Sequence, residues 1–133
     1  MKKRNVQRIL ASFLFLGLLS CATYASSDEA IKIAVAATGQ EHDASISRQA
    51  AKAPFFLFFD GSGNLSEAVE NAARNEPRNA GPIAASFLAD QGATLVIAED
   101  YGNKMKQGLD KNHIKYIEKT GAADKAVLEI IEK

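Results

Sequence analysis

The 133-residue chain contains one cysteine, two histidines, three prolines and no tryptophan. The cysteine, Cys21, stands near the N-terminus. If the segment that carries it is removed, the rest of the chain has no disulfide, no thiolate nucleophile and no Cys-ligated zinc or iron–sulfur site. The histidines, His42 and His113, are far apart in the sequence, and a lone His is weak evidence for a metal ligand. An excess of positive charge is also missing, because 16 Lys and Arg balance 16 Asp and Glu. No Gly-rich phosphate loop and no Ser-centred nucleophile elbow appears. The "GSG" at 61–63 reads as a turn.

The N-terminal segment reads as an export signal. Lys2, Lys3, Arg4 and Arg8 form a positive region, followed by an apolar run from Ile9 to Leu19 interrupted by Ser12. That run is too short to span a bilayer, which takes about 20 residues. Thr23-Tyr24-Ala25 suits a signal peptidase, so residues 1–25 are the expected signal and 26–133 the expected mature domain. The alternative is a lipoprotein: "LLSC" at 18–21 would make Cys21 the lipidated first residue, the one route to a membrane. Either way the expected location is periplasmic or exported. Removing residues 1–25 leaves 12 basic against 16 acidic residues, a net of −4. Nucleic-acid binding rests on neutralising phosphates, so no nucleic-acid partner is expected.

The remaining pattern predicts an α/β domain in the order β-β-β-α-β-α-β-α. "IKIAVAA" (31–37) is a first strand, followed by a loop over 38–54. "FFLFFD" (55–60) is apolar at both parities, as in a strand covered on both faces. A turn at 61–63 returns the chain as an antiparallel edge strand over 65–71, with Leu65, Glu67 and Val69 on one face. Gly81-Pro82 predicts a helix start, with Ile83, Phe87 and Leu88 facing inward to about Gln91 and Gly92 as the stop. "ATLVIA" is a buried strand, and a helix near Asn103 to Asn112 carries Met105 and Leu109. Ile114 to Ile117 is the last strand, and Thr120 is the expected cap of a final helix with Ala126, Val127, Ile130 and Ile131 inward. Strand–helix–strand crossovers imply parallel pairing for strands one, four and five.

These segments resemble the nitrogenase iron–molybdenum cofactor biosynthesis family, which includes NifX- and NafY-type cluster carriers, the C-terminal domain of NifB and the molybdenum–copper orange protein. The resemblance covers Ile31 to Lys133. "KIAVA" is similar to the family's first strand, and Ser47 followed by "FFLFFD" to its Ser, Phe-Gly-Arg-Ala step and aromatic strand ending in Asp. "EN" at 70–71, "AGPIAASFLADQGATLVIA" and "HIKYI" match later elements. The resemblance implies a ribonuclease H-like mixed five-stranded sheet, order 3-2-1-4-5, with helices on both faces. It also implies a non-enzymatic carrier of a molybdenum–iron or molybdenum–copper sulfide cluster. Departures are Ala50-Ala51 for Phe-Gly, Lys52 for Arg, and Glu99-Asp100 where a Gly usually ends the fourth strand. A nuclease of this fold needs carboxylates on strand one to hold two metal ions, and that strand has none.

In such a sheet the crevice forms at the C-terminal ends of strands one and four. The loops 38–54, 74–82 and 98–104 converge there, with helix N-termini at Gly81 and Asn103. Helix N-termini favour an anion. Arg48, Lys52, Arg78, Asn79, Gly81 and Gly102 are therefore the candidate ligand contacts, and His42 beside Asp43 the candidate metal ligand. Arg74 shares the loop of Arg78, and His113 is expected to end a helix. The leading expectation is a binding domain for a metal–sulfur cluster or similar anion. The alternative, favoured by the altered 50–52 step and by Glu99-Asp100, is a ligand-free protein-interaction or regulatory module with a protein partner.

Overall fold

The computed structural model describes residues 30–133, so the expected export signal and Cys21 lie outside the described residues. The strands are β1 (Lys32–Ala37), β2 (Phe55–Asp60), β3 (Leu65–Glu70), β4 (Leu95–Ala98) and β5 (Lys115–Glu118). The helices are α1 (Ala80–Asp90), α2 (Asn103–Lys111) and α3 (Ala123–Ile131). They form one mixed five-stranded sheet in the order β3-β2-β1-β4-β5, as expected. β1 pairs antiparallel with β2 and parallel with β4, and β4 pairs parallel with β5. Among the described residues no helix is long and apolar enough to cross a membrane.

Each face of the sheet has its own core. Phe56 and Phe58 join Ala34, Ala36, Val96 and Ala98 beneath α1 and α2. Leu57 and Phe59 join Ile33, Val35 and Ile97 beneath α3. All four residues from Phe56 to Phe59 are fully buried, which is why the run does not alternate with polar residues. Lys32 closes the near end of the first core. Its ammonium donates to the Gln91 carbonyl at 2.8 Å, past the end of α1, and lies 4.8 Å from the Phe58 ring centroid.

Several expectations need correcting. Leu65 and Val69 do not share a face. Phe58 pairs with Glu67 but Phe59 pairs with Leu65, so Ser66 is an extra residue that shifts the phase of β3. Leu65 then packs on the α3 side and Val69 on the α1 side. On α1 the expected Leu88 is buried and Phe87 packs half-buried against the Phe56 and Phe58 rings, but Ile83 is exposed and the rest of the inward face is Ala80, Ala84 and Ala85. Where α2 crosses closest, α1 has room only for small side chains. A β-carbon on Gly108 would lie 2.8 Å from the Ala85 β-carbon. Thr120 caps no helix: α3 begins after Ala122, which holds the N-cap position, and Gly121 before it has φ 105°. β5 starts at Lys115 rather than Ile114. Ile114 belongs instead to the turn that ends α2, where its N–H donates to Leu109 C=O and the His113 N–H to Asp110 C=O. His113 takes the left-handed position of that motif at φ 60°, where glycine is usual.

Candidate functional site

The crevice is built from the segment that follows β1. After Ala37 the chain loops out and returns antiparallel to it, pairing Ala37 with Ile46. The Ser47 N–H donates to Ala36 C=O at 2.7 Å. The next residues cross to the end of β4, where Glu99 N–H donates to Ser47 C=O and Ala50 N–H to Asp100 C=O, both at 3.0 Å. A single 3-10 turn, Ala50–Lys52, then leads into β2. The sequence showed only a loop over this stretch, because three residues carry no helical periodicity.

Two residues that the sequence reading left without a role hold this arrangement. The buried Asn71, just after β3, donates from Nδ2 to the Ala51 and Ala53 carbonyls, each at 2.9 Å, and accepts the Ala73 N–H on Oδ1 at 3.0 Å. Its amide thus ties the 3-10 turn to the loop before α1. The buried Tyr101 does the same after β4: its hydroxyl lies 2.9 Å from Val96 C=O and 2.8 Å from Ile117 C=O. Burial pushes the Tyr101 phenol well above its ordinary range. Neither residue stands out in the sequence, since Asn71 follows the polar-rich strand Leu65–Glu70 and Tyr101 comes after Glu99-Asp100, yet a buried amide or phenol needs partners.

Three clefts adjoin along this edge. The first, about 600 Å³, is lined by Ser47, Arg48, Gln49, Lys52, Glu99 and Asp100. The second, about 270 Å³, shares Gln49, Lys52 and Asp100 with it and adds Ala80, Gly81, Gly102, Lys104 and Met105. The third, about 370 Å³, continues past Lys104 to Asn79, Pro82 and Lys111. Arg48, Lys52, Gly81 and Gly102 are therefore brought together, with Asn79 one cleft further on.

The other candidates fall elsewhere. Arg78 lines none of these three clefts. His42 is 65% exposed and its Nδ1 lies 3.1 Å from Asp124 Oδ2, at the start of α3 on the opposite face of the sheet. Lys52 does more than face a cleft, because its ammonium donates to Glu76 C=O at 2.6 Å and links the two rims. Gly81 is second in α1, and its missing side chain is required by Met105 rather than by open space. Gly102 does face open space, with nothing within 4 Å of the position its β-carbon would take.

Both helices that start here are uncapped. Asn79 (φ 62°) and Gly102 hold the N-cap positions of α1 and α2, and neither helix has a side-chain cap or an acidic residue in its first turn. The first N–H groups of each helix thus lack side-chain acceptors among the described residues. Lys104 stands in the first turn of α2, where a cation opposes the helix dipole. That misplaced charge is a sequence signal for an anion that went unread. Glu99 and Asp100 weigh on the other side, placing two carboxylates in the cleft of Arg48 and Lys52. No thiolate or imidazole lines the three clefts, and among the described residues no group of three His, Cys, Asp or Glu is placed to hold a metal ion. A metal sulfide would be held here as an anion, by charge and hydrogen bonds.

A family model described as dinitrogenase iron-molybdenum cofactor matches residues 31–133. Among solved structures, the apo form of the orange protein from Desulfovibrio gigas is 28% identical, with a TM-score of 0.72 over 81% of this chain and 91% of that one. A candidate NifB protein from Thermotoga is 25% identical, with a TM-score of 0.66 over 77% and 88% of the two chains. A candidate dinitrogenase from Methanocaldococcus jannaschii, 14% identical with a TM-score of 0.56 over 77% and 89%, shares the fold alone. No curated protein matches the chain.

Proposed function

Since this chain belongs to the dinitrogenase iron-molybdenum cofactor family over residues 31–133, we propose that it is an exported, non-enzymatic binding domain for a metal–sulfur cluster or similar anion. The observation that carries the reading is the meeting of two uncapped helix N-termini with Arg48, Lys52 and Lys104 along one continuous edge. An anion lodged there gains about 0.3–1 kcal/mol from each helix dipole. Charge-assisted hydrogen bonds add about 1.5–3 kcal/mol each. With no thiolate in the clefts, the cargo is held without covalent ligands, which suits a carrier that must release it. The cargo is a molybdenum–iron or molybdenum–copper sulfide. The charged start and apolar run of residues 1–25 support reading them as an export signal, and with it a periplasmic location, or a membrane one through a lipidated Cys21.

Purifying the protein from its own host and measuring molybdenum, iron and copper together with visible absorbance tests the reading. Stoichiometric metal and sulfide-to-metal absorption bands are expected. Protein that is colourless and free of metal, and whose melting temperature no thiometallate or oxyanion raises, would overturn it. The Glu99 and Asp100 carboxylates favour a second reading in that event, a protein-interaction module that has kept the fold and lost the ligand.

A further inference from the structure

The outer face of α1 carries a pattern that the fold itself does not use. Asn79, Ile83, Ser86 and Asp90 follow one another at intervals of four, three and four, which sets them in one row along the helix. Ile83 is 39% exposed, a large apolar side chain left at the surface. Ser86 and Asp90 are exposed too, and a cleft of about 450 Å³ runs beside them, lined by Ala72, Pro82, Ile83, Ser86, Phe87 and Asp90. The charges at the two ends of this row run against the helix. A carboxylate in the last turn opposes the dipole, and Asp90 stands there with no basic residue in that turn. At the other end α1 has no side-chain cap and no acid in its first turn, and the cation Arg78 precedes the Asn79 N-cap. Neither Asp90 nor Arg78 has an ionic partner among the described residues, where the ion pairs are His42–Asp124 and Lys119–Glu129.

We propose that this face is an interface between two copies of the chain, with their α1 helices packed antiparallel about a two-fold axis. A two-fold interface must be complementary to itself, and this row is so in the antiparallel sense. Ile83 then lies opposite Ser86 of the second copy, and Asp90 opposite its Asn79. A parallel pair would set Asp90 against Asp90 and one positive helix end against the other. The antiparallel pair instead seats each misplaced carboxylate at the positive end of the other α1, beside its Arg78. The small Ser86 near the centre lets the two backbones approach, and Ile83 with the half-buried Phe87 supplies the apolar contact. A helix of 11 residues is about 16 Å long. A pair of that length buries less than the roughly 1,200–2,000 Å² of a stable interface, so the association depends on concentration. The crevice stays open, because α1 reaches it through Ala80 and Gly81, on the side that meets α2.

Sedimentation equilibrium on the purified protein tests this from about 1 μM to about 1 mM, the span of weak affinities. A monomer–dimer equilibrium is expected within that range. Ile83→Asp should abolish it, while Leu128→Asp, at a comparably exposed apolar position on α3, should leave it unchanged. Asp90→Arg should weaken the dimer roughly tenfold or more, because like charges then meet at both ends of the pair. Adding Arg78→Asp to that variant exchanges the signs at each contact and should recover part of the loss. Thermal midpoints at low concentration verify that each variant folds. A protein that stays monomeric throughout the range, or a dimer that survives Ile83→Asp, overturns the proposal and leaves this face to another protein or to solvent. A dimer lost equally with Leu128→Asp, indifferent to Asp90→Arg, or not recovered at all by the exchange of signs overturns it as well.

Discussion

Gly81 and Met105 hold α1 and α2 in backbone contact: a β-carbon on residue 81 would lie 2.8 Å from the Met105 nitrogen and 3.1 Å from its α-carbon. The atom it would meet is main chain, which cannot rotate away. This contact sets the two helix N-termini side by side at the crevice. Gly81→Ala should therefore destabilise the fold by about 1–3 kcal/mol, the usual range for overpacking. Gly102→Ala, which meets nothing within 4 Å, is the comparison and should change stability by less than about 0.5 kcal/mol. Urea unfolding of both variants checks this. Equal stability would mean that the helices separate freely and that the crevice has no fixed geometry.

The aromatic strand gives a second expectation. Phe58 and Phe59 point to opposite faces and are both fully buried. Phe58→Ala and Phe59→Ala should each cost about 3–5 kcal/mol in unfolding free energy. Leu128, 41% exposed on α3, should cost far less when truncated. A loss at only one of the two Phe positions would show one face of β2 to be open to water.

Tyr101 supplies a pH dependence. Burial disfavours its phenolate, so the folded protein holds the proton to higher pH than the unfolded chain does. Its contribution to stability is fully present below the unfolded tyrosine range, near pH ~10, and is lost as pH rises through and beyond it. Tyr101→Phe should flatten that alkaline loss. At neutral pH it should cost about 0.5–1.5 kcal/mol for the missing hydrogen bond. Unfolding curves across the alkaline range measure both effects, and an unchanged slope in the variant would assign the loss to another group.

How much of this was legible in the sequence depended on how local the determinant was. The Phe55–Phe59 run declared a strand buried on both faces, and Gly92 declared the end of α1, because both signals are contained in a few adjacent residues. The Ser66 bulge was hidden, since an extra residue in an edge strand leaves no compositional trace and shows only in the pairing with β2. On α1 the sequence pointed correctly to Phe87 and Leu88 but also to Ile83, because hydrophobicity favours Ile83 while the close crossing at Gly81 and Gly108 favours alanine. At the site, topology brought Arg48, Lys52, Gly81 and Gly102 together as the loop order implied. Arg78 and His42 left the group because a loop's membership fixes neither the direction of a side chain nor its partner, here Asp124 for His42.

The last prediction separates the residues of the crevice by role. Arg48 lines the first cleft and makes no hydrogen bond or ion pair within the described protein, so its removal should leave the unliganded fold untouched. One charge-assisted hydrogen bond is worth about 1.5–3 kcal/mol. At 1.4 kcal/mol per factor of ten, Arg48→Ala should weaken tetrathiomolybdate roughly 10- to 100-fold with no change in thermal midpoint without ligand. Lys52→Ala should lower both, because its ammonium also bridges to Glu76 C=O at 2.6 Å. Arg78→Ala should change binding little, since that residue lines none of the three clefts. Lys119→Ala is the control: its ammonium pairs with Glu129 at 2.6 Å on the α3 side, and the change should leave binding intact. Binding titrations on the four variants settle the assignment. Should Lys119→Ala or Arg78→Ala lose as much affinity as Arg48→Ala, the anion would be held by diffuse surface charge and not by this crevice.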